Sequence, residues 1–230
     1  MRDPRRRRRN APLSALPLAV LAVSVAPSPL LHAPLTLYAL KPRFQALLRP
    51  GVAMLARAGI TANQVTVAAC AVSVALGAML ALDPRPVLFL CLPAWMLLRM
   101  ALNAIDGMLA REFGQQSRLG GYLNELTDVI ADSALFLPFA LVAPFAPAWV
   151  VGVVLLAILS EYAGALGPMM GATRRYEGPL GKSDRAFVFG ALGLWLGLAG
   201  SLPAWMAWLM PAMCLLLAWT IVNRVRAGLR

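Results

Sequence analysis

The sequence has 230 residues, of which 60% are hydrophobic and 13% are charged, and its formal net charge is +11. This composition excludes an ordinary soluble domain and indicates an all-α integral membrane protein. The cations interrupt apolar segments instead of forming a solvated basic stripe, so we expect membrane lipids as partners and no nucleic acid.

Residues 1–34 begin with a run of arginines at positions 5–9 and continue as an apolar, proline-rich stretch that superficially resembles a secretory signal peptide. Translocation of this stretch would place every later basic loop on the wrong side of the membrane. We therefore interpret residues 1–34 as a disordered cytoplasmic extension. In residues 35–60, apolar residues recur at helical spacing opposite polar ones, which predicts an amphipathic juxtamembrane helix at the membrane interface. A solvated connector is the alternative.

Six apolar segments follow and predict a six-helix domain over residues 61–230, with spans near 61–82, 87–110, 119–143, 148–172, 186–200 and 203–223. The connections after the second and fourth segments are basic, as are both termini, whereas the other connections carry almost no charge. The positive-inside rule therefore predicts that both termini and the basic connections are cytoplasmic. Gly193 and Gly197 have the spacing of a close helix contact, either within the chain or in a dimer.

The acidic residues concentrate around the connection between the second and third segments. Of the ten in the chain, five lie between residues 103 and 132, namely Asp106, Glu112, Glu125, Asp128 and Asp132. A carboxylate near a bilayer costs free energy, so such a cluster indicates function. At 100° per residue, one helix face carries Arg99, Asn103, Asp106, Gly107 and Ala110, and the next helix groups Asn124, Glu125, Asp128 and Asp132.

These two polar faces can meet, because a short connection makes the two helices antiparallel neighbours. Their oxygen atoms would form a pocket suited to Mg²⁺ or Mn²⁺. The alternative is a buried ion-pair network with the arginines at positions 99, 111 and 118. Glu161, in the fourth segment, either faces the same pocket or makes a structural hydrogen bond.

The pattern Asp106-Gly107-x2-Ala110-Arg111-x8-Gly120-x3-Asn124-x3-Asp128 closely resembles the signature of the CDP-alcohol phosphotransferases (phosphatidyltransferases). The likeness covers about residues 35–227 and is greatest to the YnbA-like branch of this family. It implies the fold of these membrane enzymes, with the active site on the cytoplasmic side of a bacterial inner membrane, and a homodimer. It also implies that a phosphatidyl group passes from CDP-diacylglycerol to a small alcohol acceptor, with release of CMP.

The resemblance also implies residue roles. Metal positions fall at Asn103, Asp106, Asn124 and Asp128, and Asp128 is the expected general base. Glu125 and Asp132 are further metal candidates because they lie near these positions on the same helix. The expected CDP-binding residues are Asn63, Thr66, Gly107, Ala110, Arg111 and Gly120. The expected residues for donor phosphate or for the acceptor are Arg174, Lys182 and Arg185, which are also topology signals.

Two positions depart from the family pattern, because Asn103 and Asn124 stand where the family has aspartate. Each asparagine still offers a neutral oxygen, but two formal charges are lost, so one or two metal ions are both consistent with the sequence. A catalytically impaired paralogue that binds lipid or CDP is therefore the alternative function. A small transporter with an acid–base relay is a third hypothesis, although the acids lie near one membrane edge rather than at mid-bilayer.

Overall fold

The computed structural model describes residues 37–230, and residues 39–230 form one compact unit. The predicted extension over residues 1–34 lies outside the described residues. In the described part the chain folds as seven α-helices joined by short 3₁₀ turns and loops: α1 Leu37–Arg57, α2 Ala62–Leu82, α3 Cys91–Glu112, α4 Arg118–Phe136, α5 Pro147–Ala165, α6 Lys182–Ala199 and α7 Leu209–Gly228.

Helices α2 to α7 occupy the six predicted segments. Four helical stretches are long and apolar enough to cross a membrane within the described residues, and they are Ala62–Leu82, Pro86–Glu112, Pro147–Met170 and Ala204–Gly228. The stretches at α4 and α6 do not meet this criterion. Helix α1 lies where the sequence predicts an amphipathic helix.

The starts of α2, α4 and α6 are fixed by local capping. Thr61 and Gln64 form a reciprocal capping box at α2, with distances of 3.2 Å and 2.9 Å. Ser117 Oγ accepts a hydrogen bond from the Gly120 amide at 2.9 Å to begin α4. The Gly181 amide donates to Asp184 Oδ2 at 2.9 Å to begin α6. The starts of these three helices lie at the same end of the bundle as the ends of α3, α5 and α7. We call this end the cavity end.

Aromatic side chains fill the opposite half of the bundle. Phe136 and Phe189 stack with ring centroids 3.9 Å apart, and Phe139 meets both Phe89 and Phe189 edge-on at 5.1 Å. All four side chains have no exposed surface. We call this set the aromatic core.

Glycines let the helices approach closely at two places. A Cβ at Gly77 of α2 would lie 2.1 Å from the Ala134 carbonyl oxygen of α4, so α2 and α4 touch through their backbones. At Gly193 and Gly197 a Cβ would meet Phe89 and Leu90 of the same chain at 2.9 Å and 2.4 Å. Of the two interpretations of this glycine pair, the structure therefore supports packing within the chain.

Candidate active site

A polar cavity of 870 Å³ opens at the cavity end of the bundle. Its wall contains most of the residues that the sequence singled out: Asn63, Thr66, Asn103, Asp106, Gly107, Ala110, Arg111, Gly120, Asn124, Asp128, Arg174 and Lys182. They come from α2, α3, α4, the connection before α6, and α6 itself. The predicted meeting of the two polar faces of α3 and α4 is therefore present in the structure.

Asp128 lies where α3, α4 and α6 meet. Its Oδ1 atom is 2.5 Å from Lys182 Nζ, 3.4 Å from Arg99 Nη2 and 3.5 Å from Asn103 Nδ2. Arg99 Nη2 also donates to the Asp128 carbonyl oxygen at 3.2 Å, which fixes the guanidinium against the α4 backbone. Three donors thus hold one oxygen of this carboxylate in place.

Asp106 is held from the other side of the cavity. Its Oδ2 atom accepts a hydrogen bond from Thr66 Oγ1 of α2 at 2.7 Å, and both side chains are buried. Thr66 lies one turn after Ala62, so the capped start of α2 determines where this hydroxyl points. The contact is charge-assisted and orients the carboxylate toward the cavity.

Two motif glycines create close contacts between cavity residues. A Cβ at Gly107 would lie 2.7 Å from Arg111 Nη2, and one at Gly120 would lie 2.8 Å from Asn63 Oδ1. Neither distance is compatible with a side chain at the glycine position unless the neighbour moves. The glycines therefore let Arg111 and Asn63 lie directly against the backbone of α3 and α4.

In the cavity wall, Glu161 of α5 contacts three guanidinium groups. Its Oε1 atom is 2.9 Å from Arg185 Nη2. Its Oε2 atom is 3.1 Å from Arg174 Nη2 and 3.5 Å from Arg224 Nη1. Arg185 Nη2 also lies 3.2 Å from Asp132 Oδ2. These contacts link α4, α5, α6 and α7 through buried charges.

Three of the predicted site residues do not line the cavity. Arg185 is fully buried beneath it, and Asp132 is held there between Arg185 and Arg99, whose Nη1 atom is 2.5 Å from Asp132 Oδ1. Glu125 pairs with Arg174. Guanidinium groups thus form ion pairs with Asp132 and Glu125, the two carboxylates that the sequence predicts as further metal ligands.

Arg174 connects this network to the cavity from the loop before α6. Burial lowers the pKa of its guanidinium. The group also lies over the ring of Tyr176, 5.2 Å from the ring centroid. Tyr176 lines the cavity as well, so the two side chains form one part of its wall.

The donor set of the wall fits a hard divalent cation. Asp106 and Asp128 offer carboxylate oxygens, and Asn103 and Asn124 add neutral amide oxygens, which are the ligand types that Mg²⁺ and Mn²⁺ prefer. Within residues 37–230 no three His, Cys, Asp or Glu side chains are grouped closely enough to hold a metal ion. A cation here would thus be bound with fewer charged ligands than a site of four aspartates provides.

Several cavity residues were not assigned to the site from the sequence. Arg224, one turn before the end of α7, lines the cavity, although the sequence marks it only as part of a basic terminus. Phe44 of α1 and Gln115 contribute to the wall, and Gln115 Oε1 accepts a hydrogen bond from the Ala62 amide at 2.7 Å. Glu161 both lines the cavity and forms structural contacts, so its two interpretations are compatible. A local pattern cannot reveal these residues, because each comes from a different part of the chain.

Comparison with known proteins places the chain in a family. Residues 59–222 match the sequence model of the CDP-alcohol phosphatidyltransferase family. The chain is 46% identical over 198 residues to the inner membrane protein YnbA of Escherichia coli K12, a match that covers 85% of this chain and 97% of that protein.

The fold is also similar to that of a solved enzyme. Two crystal structures of Mycobacterium tuberculosis phosphatidylinositol phosphate synthase (PgsA1) match with a TM-score of 0.65 and 22% identity over 78% of this chain. The match covers 87% of the chain in the structure with manganese and citrate. It covers 92% of the chain in the structure that has CDP-DAG bound. The apolar helices and the inner membrane relative together indicate a multi-pass membrane protein. The extent of the family match and the identity to YnbA show that this chain belongs to the CDP-alcohol phosphatidyltransferase family.

Proposed function

We propose that this transferase moves a phosphatidyl group from CDP-diacylglycerol to a small hydroxylated acceptor, with release of CMP, and that it needs Mg²⁺ or Mn²⁺. The observation that carries the proposal is the convergence of Asp106, Asp128, Asn103 and Asn124 on one polar cavity. The CDP-DAG and the manganese in the PgsA1 structures support the same donor and the same kind of cation.

We also propose that α2 to α7 all cross the bilayer. Helix α4 has polar residues on its cavity side, but an exposed apolar row on its outer side, formed by Leu119, Tyr122, Leu126 and Ile130. Helix α6 exposes Phe187 and Leu198 by 77% and 73%. Such side chains face lipid favourably. The polar residues that lower the mean hydropathy lie on the cavity side of α4 and in the first turn of α6.

The basic connections then lie in the cytoplasm, and the cavity opens there. The basic connections lie at the cavity end and include Arg111, Arg118 and Arg174. At the opposite end, Arg85 forms an exposed ion pair with Asp83. In a bacterial inner membrane this orientation also places both termini in the cytoplasm. Helix α1 would rest on the same surface, since its Phe44 reaches the cavity wall. The homodimer that the family resemblance implies stays a prediction.

In the proposed reaction, the acceptor oxygen attacks the lipid-side phosphorus of the donor, and the bond to the CMP phosphate breaks. A divalent cation, when bound, neutralises the pyrophosphate charge. Asp128 takes the proton of the acceptor hydroxyl, while Lys182, Arg99 and Asn103 hold its Oδ1 atom and leave Oδ2 to face the acceptor. Thr66 keeps Asp106 aimed at the donor side of the cavity.

The test is the exchange of labelled CMP into CDP-diacylglycerol by the purified protein with Mg²⁺ or Mn²⁺ and glycerol as acceptor, so that exchange runs through transfer to the alcohol and back. We expect exchange that a chelator stops and that Asp128→Ala lowers by about 100-fold or more, the usual contribution of a positioned base. The matched control is Asp83→Ala, which removes a carboxylate at the opposite end and should leave exchange unchanged. Undiminished exchange in Asp128→Ala would refute the mechanism.

A second candidate function is a catalytically impaired paralogue that binds CDP or lipid. Asn103 and Asn124 favour it, together with Lys182, whose ammonium group contacts Asp128 where the family pattern expects a metal ligand. This candidate predicts CDP binding that is insensitive to chelator and is followed by no turnover. Calorimetric titration of CDP with and without the metal, beside the exchange assay, separates the two functions.

A further inference from the structure

Charged side chains around the cavity, most of them buried or half-buried, form a connected network that is almost neutral. Its cations are Arg99, Arg174, Lys182, Arg185 and Arg224, and its anions are Glu125, Asp128, Asp132 and Glu161. Five cations and four carboxylates carry a net charge of +1. Little positive charge is therefore left over for a second anionic ligand beside the donor pyrophosphate.

Glu161 has the central place among the four carboxylates. It contacts Arg174, Arg185 and Arg224, and two of these, Arg174 and Arg224, line the cavity with it. Without Glu161 these guanidinium groups would be a strong site for a phosphate, because guanidinium binds phosphate through paired hydrogen bonds. With Glu161 in place, an incoming phosphate meets a carboxylate fixed among them.

We propose that the acceptor is an alcohol that carries no phosphate group, and that Glu161 is the residue that sets this specificity. The proposal rests on the proposed transfer reaction. A hydroxyl group can donate to the Glu161 carboxylate and accept from Arg174 or Arg224, so a neutral polyol finds partners of both kinds. A phosphate group has only acceptor oxygens when fully ionised, and the neighbouring carboxylate repels it. The selection thus works by disfavouring one class of ligand.

The structure gives this repulsion a low-dielectric setting. Glu161 and Arg224 are 8% and 2% exposed, so solvent screens their charges weakly. Arg224 Nη1 also donates to the Ser160 carbonyl at 2.5 Å, and Arg185 lies beneath with no exposed surface. Neither arginine can move away from Glu161 to follow a phosphate without breaking buried contacts.

The first experiment uses the wild-type protein with glycerol and glycerol 3-phosphate as acceptors, a pair that differs by one phosphate. We expect transfer to glycerol to be at least about tenfold faster, which corresponds to a like-charge penalty of one close contact. In parallel, binding of inorganic phosphate is measured calorimetrically with saturating CMP and Mg²⁺ present, so that the nucleotide and cation sites are filled. Wild-type protein should bind phosphate weakly, with a Kd in the range of about 10 mM or above.

The second experiment repeats both measurements with Glu161→Gln. Here we expect phosphate affinity to rise at least about tenfold, and the rate ratio to shift toward glycerol 3-phosphate by a similar factor. Glu177→Gln is the control, because it removes the same charge from an exposed side chain that pairs with Arg175 and does not line the cavity, so it should change neither value. A Glu161→Asp variant keeps the charge and should retain the wild-type preference.

The outcomes separate the two proposals. If CMP exchange fails in the wild type, the transfer reaction is refuted, while phosphate binding still decides the role of Glu161. Tight phosphate binding by the wild type, or faster transfer to glycerol 3-phosphate, overturns the specificity proposal even if Glu161→Gln does not fold. Unchanged phosphate affinity in a folded Glu161→Gln protein, checked by its thermal stabilisation with CMP, overturns it as well.

Discussion

The two ends of the helix bundle are filled in opposite ways. At the aromatic core, Phe89, Phe136, Phe139 and Phe189 pack ring against ring with no polar atom among them. At the cavity end, nine charged side chains of one network lie around an open cavity of 870 Å³. Helices α4 and α6 contribute to both sets, and two 3₁₀ turns supply the remaining rings, Phe89 and Phe139.

This difference separates stability from function. Aromatic side chains contribute large contact areas and specific ring geometries, which stabilise the folded state. Buried ion pairs contribute little net stability, because desolvation of the charges offsets their attraction. The aromatic core is therefore expected to stabilise the fold, and the charged network to serve the proposed ligand binding. Substitutions at the two ends should have effects of different kinds.

The largest expected effect on stability is that of Phe139→Ala. The ring contacts Phe89 and Phe189 edge-on and is fully buried, so its removal leaves a cavity that the helices cannot close. We expect the free energy of unfolding to fall by about 3–5 kcal/mol. Reversible unfolding in micelles measures it, and CMP exchange per folded molecule should be unchanged.

The matched control for this change is Leu137→Ala at the same end of the bundle. Leu137 is 41% exposed, so its side chain has fewer protein contacts to lose. A small effect of Leu137→Ala would attribute the loss to the buried rings. If Phe139→Ala instead reduced exchange and left unfolding unchanged, the division between the two ends would be wrong.

The sequence predicts the helices and the first half of the site because both signals are local. Apolar runs mark α2 to α7, and the motif places Asp106 and Asp128 on consecutive helices with a short connection. Antiparallel neighbours of this kind must bring their polar faces together. The predicted third and fourth segments extend beyond the ends of α4 and α5. Proline explains the difference, because α4 ends before a 3₁₀ turn that contains Pro138, and α5 ends before one that contains Pro168.

The rest of the site depends on contacts between distant parts of the chain. Glu161, Arg185 and Arg224 come from α5, α6 and α7. Glu161 is an isolated charge within an apolar run, whereas the two arginines belong to charged segments beside apolar runs. Which charges meet depends on the rotation of each helix about its axis, and no residue pattern within one helix specifies that rotation relative to another. The predicted metal role of Asp132 shows this limit, since helical spacing places it with Asp128 although guanidinium groups surround it.

A smaller effect, on activity, is expected at the cavity end for Thr66→Val. The valine has nearly the same shape but cannot donate the 2.7 Å hydrogen bond to Asp106. A hydrogen bond to a charged group contributes about 1.5–3 kcal/mol, so we expect the exchange rate to fall by about tenfold or somewhat more. Unfolding should change far less than in Phe139→Ala.

Two variants on the same helix make this prediction specific. Thr66→Ser keeps the hydroxyl and should restore most of the activity. Ser73→Ala removes a buried hydroxyl two turns further along α2, where it accepts from Trp95 Nε1 at 3.0 Å, and should leave exchange unaffected. Equal losses from Thr66→Val and Ser73→Ala would mean that any buried hydroxyl of α2 matters, and that orientation of Asp106 does not.

The smallest effect is expected at the rim, where Arg49 of α1 pairs with Glu112 at the end of α3. Two hydrogen bonds of 3.0 Å join the side chains, but these are 56% and 35% exposed. The pair raises the pKa of Arg49, yet water and salt screen such contacts, so Arg49→Gln should leave the unfolding midpoint unchanged within error. The double variant Arg49→Gln/Glu112→Gln should also match the wild type at low and high salt. Water can replace this exposed ion pair more easily than the buried ones, so the pair should contribute least to stability. A clear loss of stability in Arg49→Gln would therefore mean that ion pairs at the cavity end do stabilise the fold.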